Sequence, residues 1–401
     1  MKPLKIAIIG AGVAGLAAAS LLARRGHHLS LIERFATPRP LGSGLVLQPL
    51  GLQVLADCGA AETALGLGAP VSRMLGHAAG RCVLDVSYPP GQNGLAIHRA
   101  SLFHALWQAA LATGPTLHTG HACTEAPRQG DQRLILRDGA EPLGPFDLVI
   151  DASGTGSQIS PQRSRALPYG ALWASVPWPE TPLRRDYLQQ RYHRASRMAG
   201  VLPIGCLPGD PTPRAAIFWS LPRAALDHWP SRDLTEWKAE VAALWPEMAA
   251  FLPSLTQTSD LTAARYSHGT LRQPFAPALA FLGDAAHRAS PQLGQGANMA
   301  LLDALALAHA LDSHPLAEAL PRYAQMRRWH VRAYQAMSAA FTPMYQSQSR
   351  ALPLLRDHLL APAARIWPVP RLLTSLVAGS MMPPLAGSAW PQTAGQALPR
   401  R

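Results

Sequence analysis

The residues best suited to chemistry form two loops at opposite ends of the chain. The late one is Gly283-Asp284-Ala285-Ala286-His287, followed by Pro291 and Gly294-Gln295-Gly296-Ala297-Asn298. The early one is Gly10-Ala11-Gly12-Val13-Ala14-Gly15. In the early loop each glycine has a mechanical role. Gly10 allows a tight turn, Gly12 lets a pyrophosphate approach the backbone, and Gly15 permits close packing of helix on strand. The amides that open the following helix would hold the phosphates. About twenty residues on, Glu33 ends an apolar run, where its carboxylate can accept hydrogen bonds from ribose hydroxyls. Two distant nucleotide-type loops point to one long ligand clamped between them.

Those loops need strands and helices to aim them. Lys5 to Ile9 reads as a strand, Leu16 to Leu22 as helix, and His28 to Ile32 as the next strand, with His27 and His28 at its start. Residues 1–165 alternate short apolar runs with helical stretches (Gly51 to Cys58, Arg99 to Thr113) and strands (Arg133 to Arg137, Phe146 to Asp151), which favours a βαβ core. Residues 166–275 differ, being rich in Trp and Pro, with strand-like pieces at Gly170 to Val176 and Arg214 to Leu221 and a helix near Leu234 to Leu244. This reads as an inserted antiparallel sheet roofing a pocket. Residues 276–340 return to the first domain through a strand at Leu279 to Leu282, a helix from Gly294 to Leu311 and a helix from Ala317 to Ala340. Residues 341–401 read as a C-terminal helical tail. The fold class is thus α/β: a Rossmann-like domain in two parts, with an inserted substrate sheet.

Composition removes other classes. The 401 residues are 48% hydrophobic, as in a folded globular protein. The net charge of +12 raises nucleic acid or anionic membrane as partners. Yet the arginines are dispersed without a basic run or interleaved aromatics, which argues against nucleic acid. Cys58, Cys82, Cys123 and Cys206 are scattered with no C-x-x-C pair, so no zinc site or disulfide framework is expected and a reducing cytoplasm fits. The apolar start of the chain imitates a secretory signal, but its core is broken by the glycines of the fingerprint. No unbroken apolar stretch reaches the roughly 18 to 20 residues that span a bilayer.

Gly10-x-Gly12-x-x-Gly15, Glu33-Arg34, Arg99 at a helix start, Gly283-Asp284 and Gly294-Gln295-Gly296-x-Asn298 occur in an order and spacing that resembles the single-component FAD-dependent aromatic hydroxylases, the para-hydroxybenzoate-hydroxylase-like group. The likeness runs from residue 1 to about 340. It implies that Gly10, Ala11, Gly12, Val13, Ala14 and Gly15 hold the FAD pyrophosphate, that Glu33 holds the adenosine ribose, and that Arg34 lies on the adenine side. Arg99 would reach the ribityl-phosphate region, where its fixed fork of donors suits phosphate oxygens. Asp284 would bind a ribityl hydroxyl, since a carboxylate suits a polyol and repels phosphate. Gly294, Gln295, Gly296, Ala297 and Asn298 would put amides and a positive helix end beside the flavin pyrimidine edge, which carries negative charge when reduced. Pro291 would border the oxygen-reacting face. The resemblance implies NAD(P)H and O2 as co-substrates and oxygen transfer to a small, apolar, aromatic or polyketide-like molecule, by hydroxylation or epoxidation. A reductase on the same scaffold and a flavin-binding protein without turnover are the alternatives.

Two departures stand out. Where the family shows G-A-D-G, this chain has Asp151-Ala152-Ser153-Gly154 with Ser157 following; and where many members have Pro-Pro or His-Pro, it has Ser290-Pro291. The remaining conspicuous residues have plainer readings. His287 lacks companions at metal-ligand spacing and suits a structural hydrogen bond. The tryptophans from Trp173 to Trp245 suit a core. Ser153 and Ser157 lack a nucleophile elbow, which excludes serine hydrolysis. No catalytic dyad or triad is found, as expected when a cofactor performs the reaction. The apolar tail from Leu352 to Met382, broken by prolines, is expected to pack on the protein, with a lid, a dimer surface or a weak interfacial membrane contact as the alternatives.

Overall fold

The computed structural model describes residues 2–37, 44–388 and 390; the Gln- and Pro-containing end of the tail lies outside the described residues. Two sheets organise the chain. The first has six strands in the order Phe275–Ala276, Leu279–Phe281, Leu148–Asp151, Lys5–Ile9, His28–Glu33 and Thr116–Thr119. All but the first pair run parallel. Lys5–Ile9 is central, and Ile6, Ala7 and Ile8 are fully buried, the continuous apolar run expected of a strand covered on both faces. Its Ile6 and Ile8 face is covered by the helices Val13–Ala23, Arg99–Leu111 and Gly296–Ser313, the first and last of which pack directly on each other, and its Ala7 and Ile9 face by a small antiparallel sheet over residues 123–146 around Ala126, Ile135 and Phe146.

Pairing of Ile9 with Asp151, and of Asp151 with Phe281, brings three strand ends level. The late strand therefore sits beside the early ones, and the first sheet is built from segments distant in sequence.

The second sheet has eight strands, in the order His287–Arg288, Thr262–Thr270, Arg165–Pro177, Arg214–Pro222, Arg197–Pro203, Tyr187–His193, Arg73–Ala78 and Arg81–Ser87. It is wider than the 166–275 segment. Arg73–Ala78 and Arg81–Ser87 come from within residues 1–165, and Arg73–Ala78 joins Tyr187–His193 in parallel, so the sheet is mixed rather than purely antiparallel. The strand Arg73–Ala78 alternates half-buried and buried residues, but Arg73, Gly76 and His77 interrupt its apolar pattern, which hides it from a periodicity reading.

One face of this sheet is sealed by the helix Leu234–Leu244 and neighbouring turns around Trp219, Trp229, Trp237 and Trp245, all buried. These four tryptophans are core, as expected; Trp173, half-buried, faces the other side with Phe218, their ring centroids 4.6 Å apart. Helix Leu316–Tyr345 continues through Pro321 and Pro343, and a helical segment over 351–378 packs its inner side on the edge strand Arg81–Ser87.

Candidate active site

The early loop does what its glycines require. Gly10 has φ +98°, and a Cβ there would lie 2.7 Å from the carbonyl oxygen of Ala152. A Cβ on Gly15 would lie 1.9 Å from the Gly10 carbonyl oxygen, so only glycine lets the helix start this close to the strand. Gly12 is different: a Cβ there would meet nothing within 4 Å, leaving open space. The helix it begins has no side-chain cap and no acidic residue in its first turn, so its first amides are unpaired and its positive end is uncompensated. Glu33 braces this loop: one carboxylate oxygen accepts from the Ala11 amide at 2.8 Å and the other from the Phe35 amide at 3.2 Å. Arg34 is exposed, with its guanidinium 4.7 Å from the Phe35 ring centre and beside Gly156.

The late loop repeats the arrangement. Pro291–Leu293 forms a single turn ended by Gly294 at φ +62°, and the helix Gly296–Ser313 follows, again with no side-chain cap and no acid in its first turn. Gly296, like Gly12, has open space where a Cβ would be. The two helix starts belong to one place, because a Cβ on Gly283 would lie 3.4 Å from Ala14 Cβ of the early helix and 3.3 Å from Ala300 Cβ of the late one. Loops from opposite ends of the sequence are thus joined through Ala14, Gly283 and Ala300.

Between them lie two complementary charges. Arg99 opens its helix behind His98, whose ring accepts the Ala100 amide at 3.0 Å. Asp284 sits in the turn Gly283–Ala285. Both side chains are reached by solvent yet walled by protein. That crowding lowers the guanidinium of Arg99, against the pull of Asp284, and raises the carboxyl of Asp284, against the pull of His287 and Arg99. Neither charged group has a hydrogen-bond partner among the described residues, so both have donors or acceptors to offer a polar ligand.

Four further residues escape sequence reasoning. The side-chain nitrogen Nε2 of Gln48 is buried without a partner and faces Gly294, while its backbone amide donates to Asn298 and its side-chain oxygen accepts from Tyr88. Tyr266 accepts a hydrogen bond from Trp173 Nε1 at 2.8 Å, which leaves its own proton to donate; burial pushes its hydroxyl up to about 12. Asp303, wholly buried, accepts from Arg327 Nε at 2.8 Å, from His287 Nε2 at 2.6 Å and from the Gly283 amide at 2.9 Å. Burial alone would raise its carboxyl, but His287 and Arg327 outweigh this and hold it at about 2. A signal for Asp303 existed: it is an acid in the middle of an Ala/Leu-rich helix, whose other acid, Asp312, lies in the exposed last turn. Trp173 belongs to the tryptophans of the roof sheet, some of which the sequence offers as pocket candidates; the sequence carried no comparable signal for Gln48 or Tyr266.

His287 is therefore a structural hydrogen-bonding residue, and no metal-binding cluster occurs among the described residues. Two residues of the late loop turn away from the crevice. Asn298 accepts the Gln48 amide at 2.8 Å and donates to the Gly294 carbonyl at 3.2 Å, and Gln295 donates to the Val377 carbonyl at 2.6 Å, so both side chains tie the loop to its surroundings. At the family-variant position, Ser153 and Ser157 hydrogen-bond the buried Asp151 carboxylate, and Ser160 ties the same turn to the Ala285 carbonyl at 2.6 Å.

Two open, uncapped helix starts, an orphaned amide at Gln48 and an unpaired cation and anion between them fit a long ligand with a diphosphate, a polyol and an electron-accepting ring. The comparisons with known proteins agree. A family model described as "FAD binding domain" matches residues 4–338. The chain is 29% identical over 362 residues to 3-amino-4-hydroxybenzoate 2-monooxygenase of Streptomyces cremeus, covering 81% of this chain and 84% of that protein. It is 30% identical over 363 residues to kynurenine 3-monooxygenase of Xanthomonas campestris pv. campestris, covering 84% and 78%. In fold it is similar to Klebsiella pneumoniae HpxO complexed with FAD and uric acid, with a TM-score of 0.79 at 19% identity, covering 94% of this chain and 97% of that one. The chain belongs to the FAD-binding family of single-component aromatic monooxygenases, and it is an FAD-dependent oxidoreductase.

Proposed function

We propose that this chain uses NAD(P)H and O2 to hydroxylate a small, electron-rich aromatic molecule held between the late loop and the inner face of the large sheet. The observation that carries this reading is the meeting of both uncapped helix starts at Ala14, Gly283 and Ala300. Bound FAD would supply the redox and oxygen chemistry there. The protein's part is to bind and to bias charge. Amides from Val13 to Gly15 would hold phosphate oxygens, Arg99 would reach the phosphate-ribityl junction, and Asp284 would accept from a ribityl hydroxyl. The start of the helix at Gly296 is a fixed positive potential for the ring edge, already oriented and needing no reorganisation when negative charge develops. Pro291, with no amide proton, would border the oxygen-reacting face.

Half-buried Leu84, Trp173 and Leu188, with Leu373 of the tail, offer the substrate an apolar wall. Against it, the free proton of Tyr266 would mark where a substrate oxygen or ring nitrogen sits. The names of both curated relatives describe oxygenation, of an aminohydroxybenzoate and of kynurenine, which supports this substrate class.

The test is oxygen labelling. Flavin-loaded protein is screened with aminobenzoates, hydroxybenzoates and kynurenine for compounds that accelerate NADH or NADPH oxidation, and the product is analysed under 18O2. One labelled atom in the product supports the reading. Substrate-dependent NAD(P)H oxidation that yields a reduced, unlabelled product would replace it with a reductase.

A further inference from the structure

The tail over 351–378 behaves as expected on its inner side and not on its outer one. Inside, it is anchored at several points. Tyr334 donates to the Leu376 carbonyl at 2.8 Å, His330 contacts the Gly379 carbonyl at 3.0 Å, Thr374 donates to the Ser87 carbonyl at 3.1 Å, and buried Arg356 donates to the Met344 carbonyl at 2.9 Å. Outside, it carries most of the large exposed apolar side chains among the described residues: Leu354, Leu355, Leu359, Leu360, Ile366, Trp367 and Leu372, with Ile366 66% and Trp367 73% exposed. Leu355, Leu359 and Pro362 are exposed along the helical turns, and Ile366 and Trp367 stand in the turn that follows Ala363, so the exposed apolar residues succeed one another along the segment. Because the inner side is already fixed, this ridge cannot be covered by rotating the segment inward.

The charges around the ridge select what covers it. Arg350, His358, Arg365 and Arg371 are exposed along the same segment, and Arg81 reaches His358 at 2.9 Å. The one acid between residues 346 and 388 is Asp357, which is bound by Arg356 at 2.6 Å. A second copy of this face would set arginine against arginine with no free carboxylate to answer it. An anionic bilayer surface offers acyl chains to the ridge and negative headgroups to the arginines, with Trp at the boundary where its amphipathic ring is favoured.

We propose that the segment 351–378 docks the protein on an anionic lipid surface, as a peripheral contact with Ile366 and Trp367 at its tip. Among the described residues no helix is long and apolar enough to cross a membrane, so the contact lies in the interface.

The test is sedimentation of the full-length, flavin-loaded protein with vesicles of phosphatidylcholine alone or with added phosphatidylglycerol, at low and high salt. The parent is expected to sediment with the anionic vesicles and to release in high salt. Ile366→Ser/Trp367→Ser should weaken the partition at least tenfold, and Arg365→Glu/Arg371→Glu several-fold. Trp329→Ser, which removes an exposed tryptophan flanked by Arg328 and Arg332 on another helix, should leave it unchanged. Absence of sedimentation, equal binding to both vesicle types, or indifference to both double variants overturns the proposal. So does a dimer in sedimentation velocity that Ile366→Ser/Trp367→Ser dissolves. If the apolar double variant loses its flavin or its circular dichroism, the charge variant at exposed positions carries the decision. None of these readouts depends on turnover.

Discussion

Asp303 Oδ2 lies 2.6 Å from His287 Nε2 and accepts the Gly283 amide through the same oxygen, so both ends of the Gly283–His287 turn are pinned to one acid in the neighbouring helix. The other oxygen holds Arg327, which in turn donates to the Pro384 carbonyl at 2.7 Å and contacts His330. Asp284, the residue offered to ligand, is therefore positioned by residues that never face the crevice.

Removing that acid should be costly. Asp303→Ala strands a buried guanidinium and an imidazole, and breaking a buried pair in this way costs about 3–5 kcal/mol. Urea unfolding should show a loss of that order. Asp303→Leu/Arg327→Met, which removes both charges, should recover much of it. A double variant as unstable as the single one would show that packing, and not the stranded charge, dominates.

The glycines of the early loop should separate folding from binding. A Cβ on Gly12 meets nothing, so Gly12→Ala should change stability by no more than about 0.5 kcal/mol, while FAD retention after dialysis falls because the methyl occupies the ligand's approach. Gly15→Ala drives a Cβ to 1.9 Å from a carbonyl oxygen and should prevent stable folding. Full FAD content in Gly12→Ala would contradict the assigned phosphate position.

Asp284 should matter to ligand and not to the fold. Its carboxylate is crowded and has no protein partner among the described residues, so Asp284→Ala should leave the flavin-free melting temperature equal or slightly higher near neutral pH. Flavin binding, measured by fluorescence titration, should weaken at least tenfold. An unchanged flavin spectrum after dialysis would remove Asp284 from the site.

His330 gives the protein an acid-sensitive seam. Burial, then the charge of Arg327, lowers its imidazole from 6.5 to about 3. Between those values the unfolded chain binds a proton that the folded chain refuses, so stability falls as pH falls from 6.5 towards 3, at up to about 1.4 kcal/mol per pH unit. Asp303, lowered to about 2, adds a further loss only below its ordinary value of 3.8. Melting curves of His330→Gln should show a shallower first slope, the remainder coming from other imidazoles lowered by burial such as His27, His98 and His309, and keep the second.

The sequence by itself determined the elements that depend on local spacing. Strand Lys5–Ile9, the glycine turn, strand His28–Glu33, helix Arg99–Leu111 and the late helix follow from apolar periodicity, glycine placement and a polar residue at a helix start. Motif order carried the family in the same way. Tertiary structure decided what depends on partners distant along the chain. Whether Arg73–Ala78 joins the first or the second sheet is settled by pairing with Tyr187–His193, and nothing in its own residues encodes that choice. In sequence Asn298 and Gln295 belong to a loop that offers amides and a helix end; only folding shows that their side chains bind Gln48, Gly294 and Val377. Gln48 and Tyr266 acquire their place in the crevice only because Gly294 and Trp173 come to lie beside them. Local chemistry fixes which groups a residue can offer; packing between remote segments fixes which of those groups remain free to be offered.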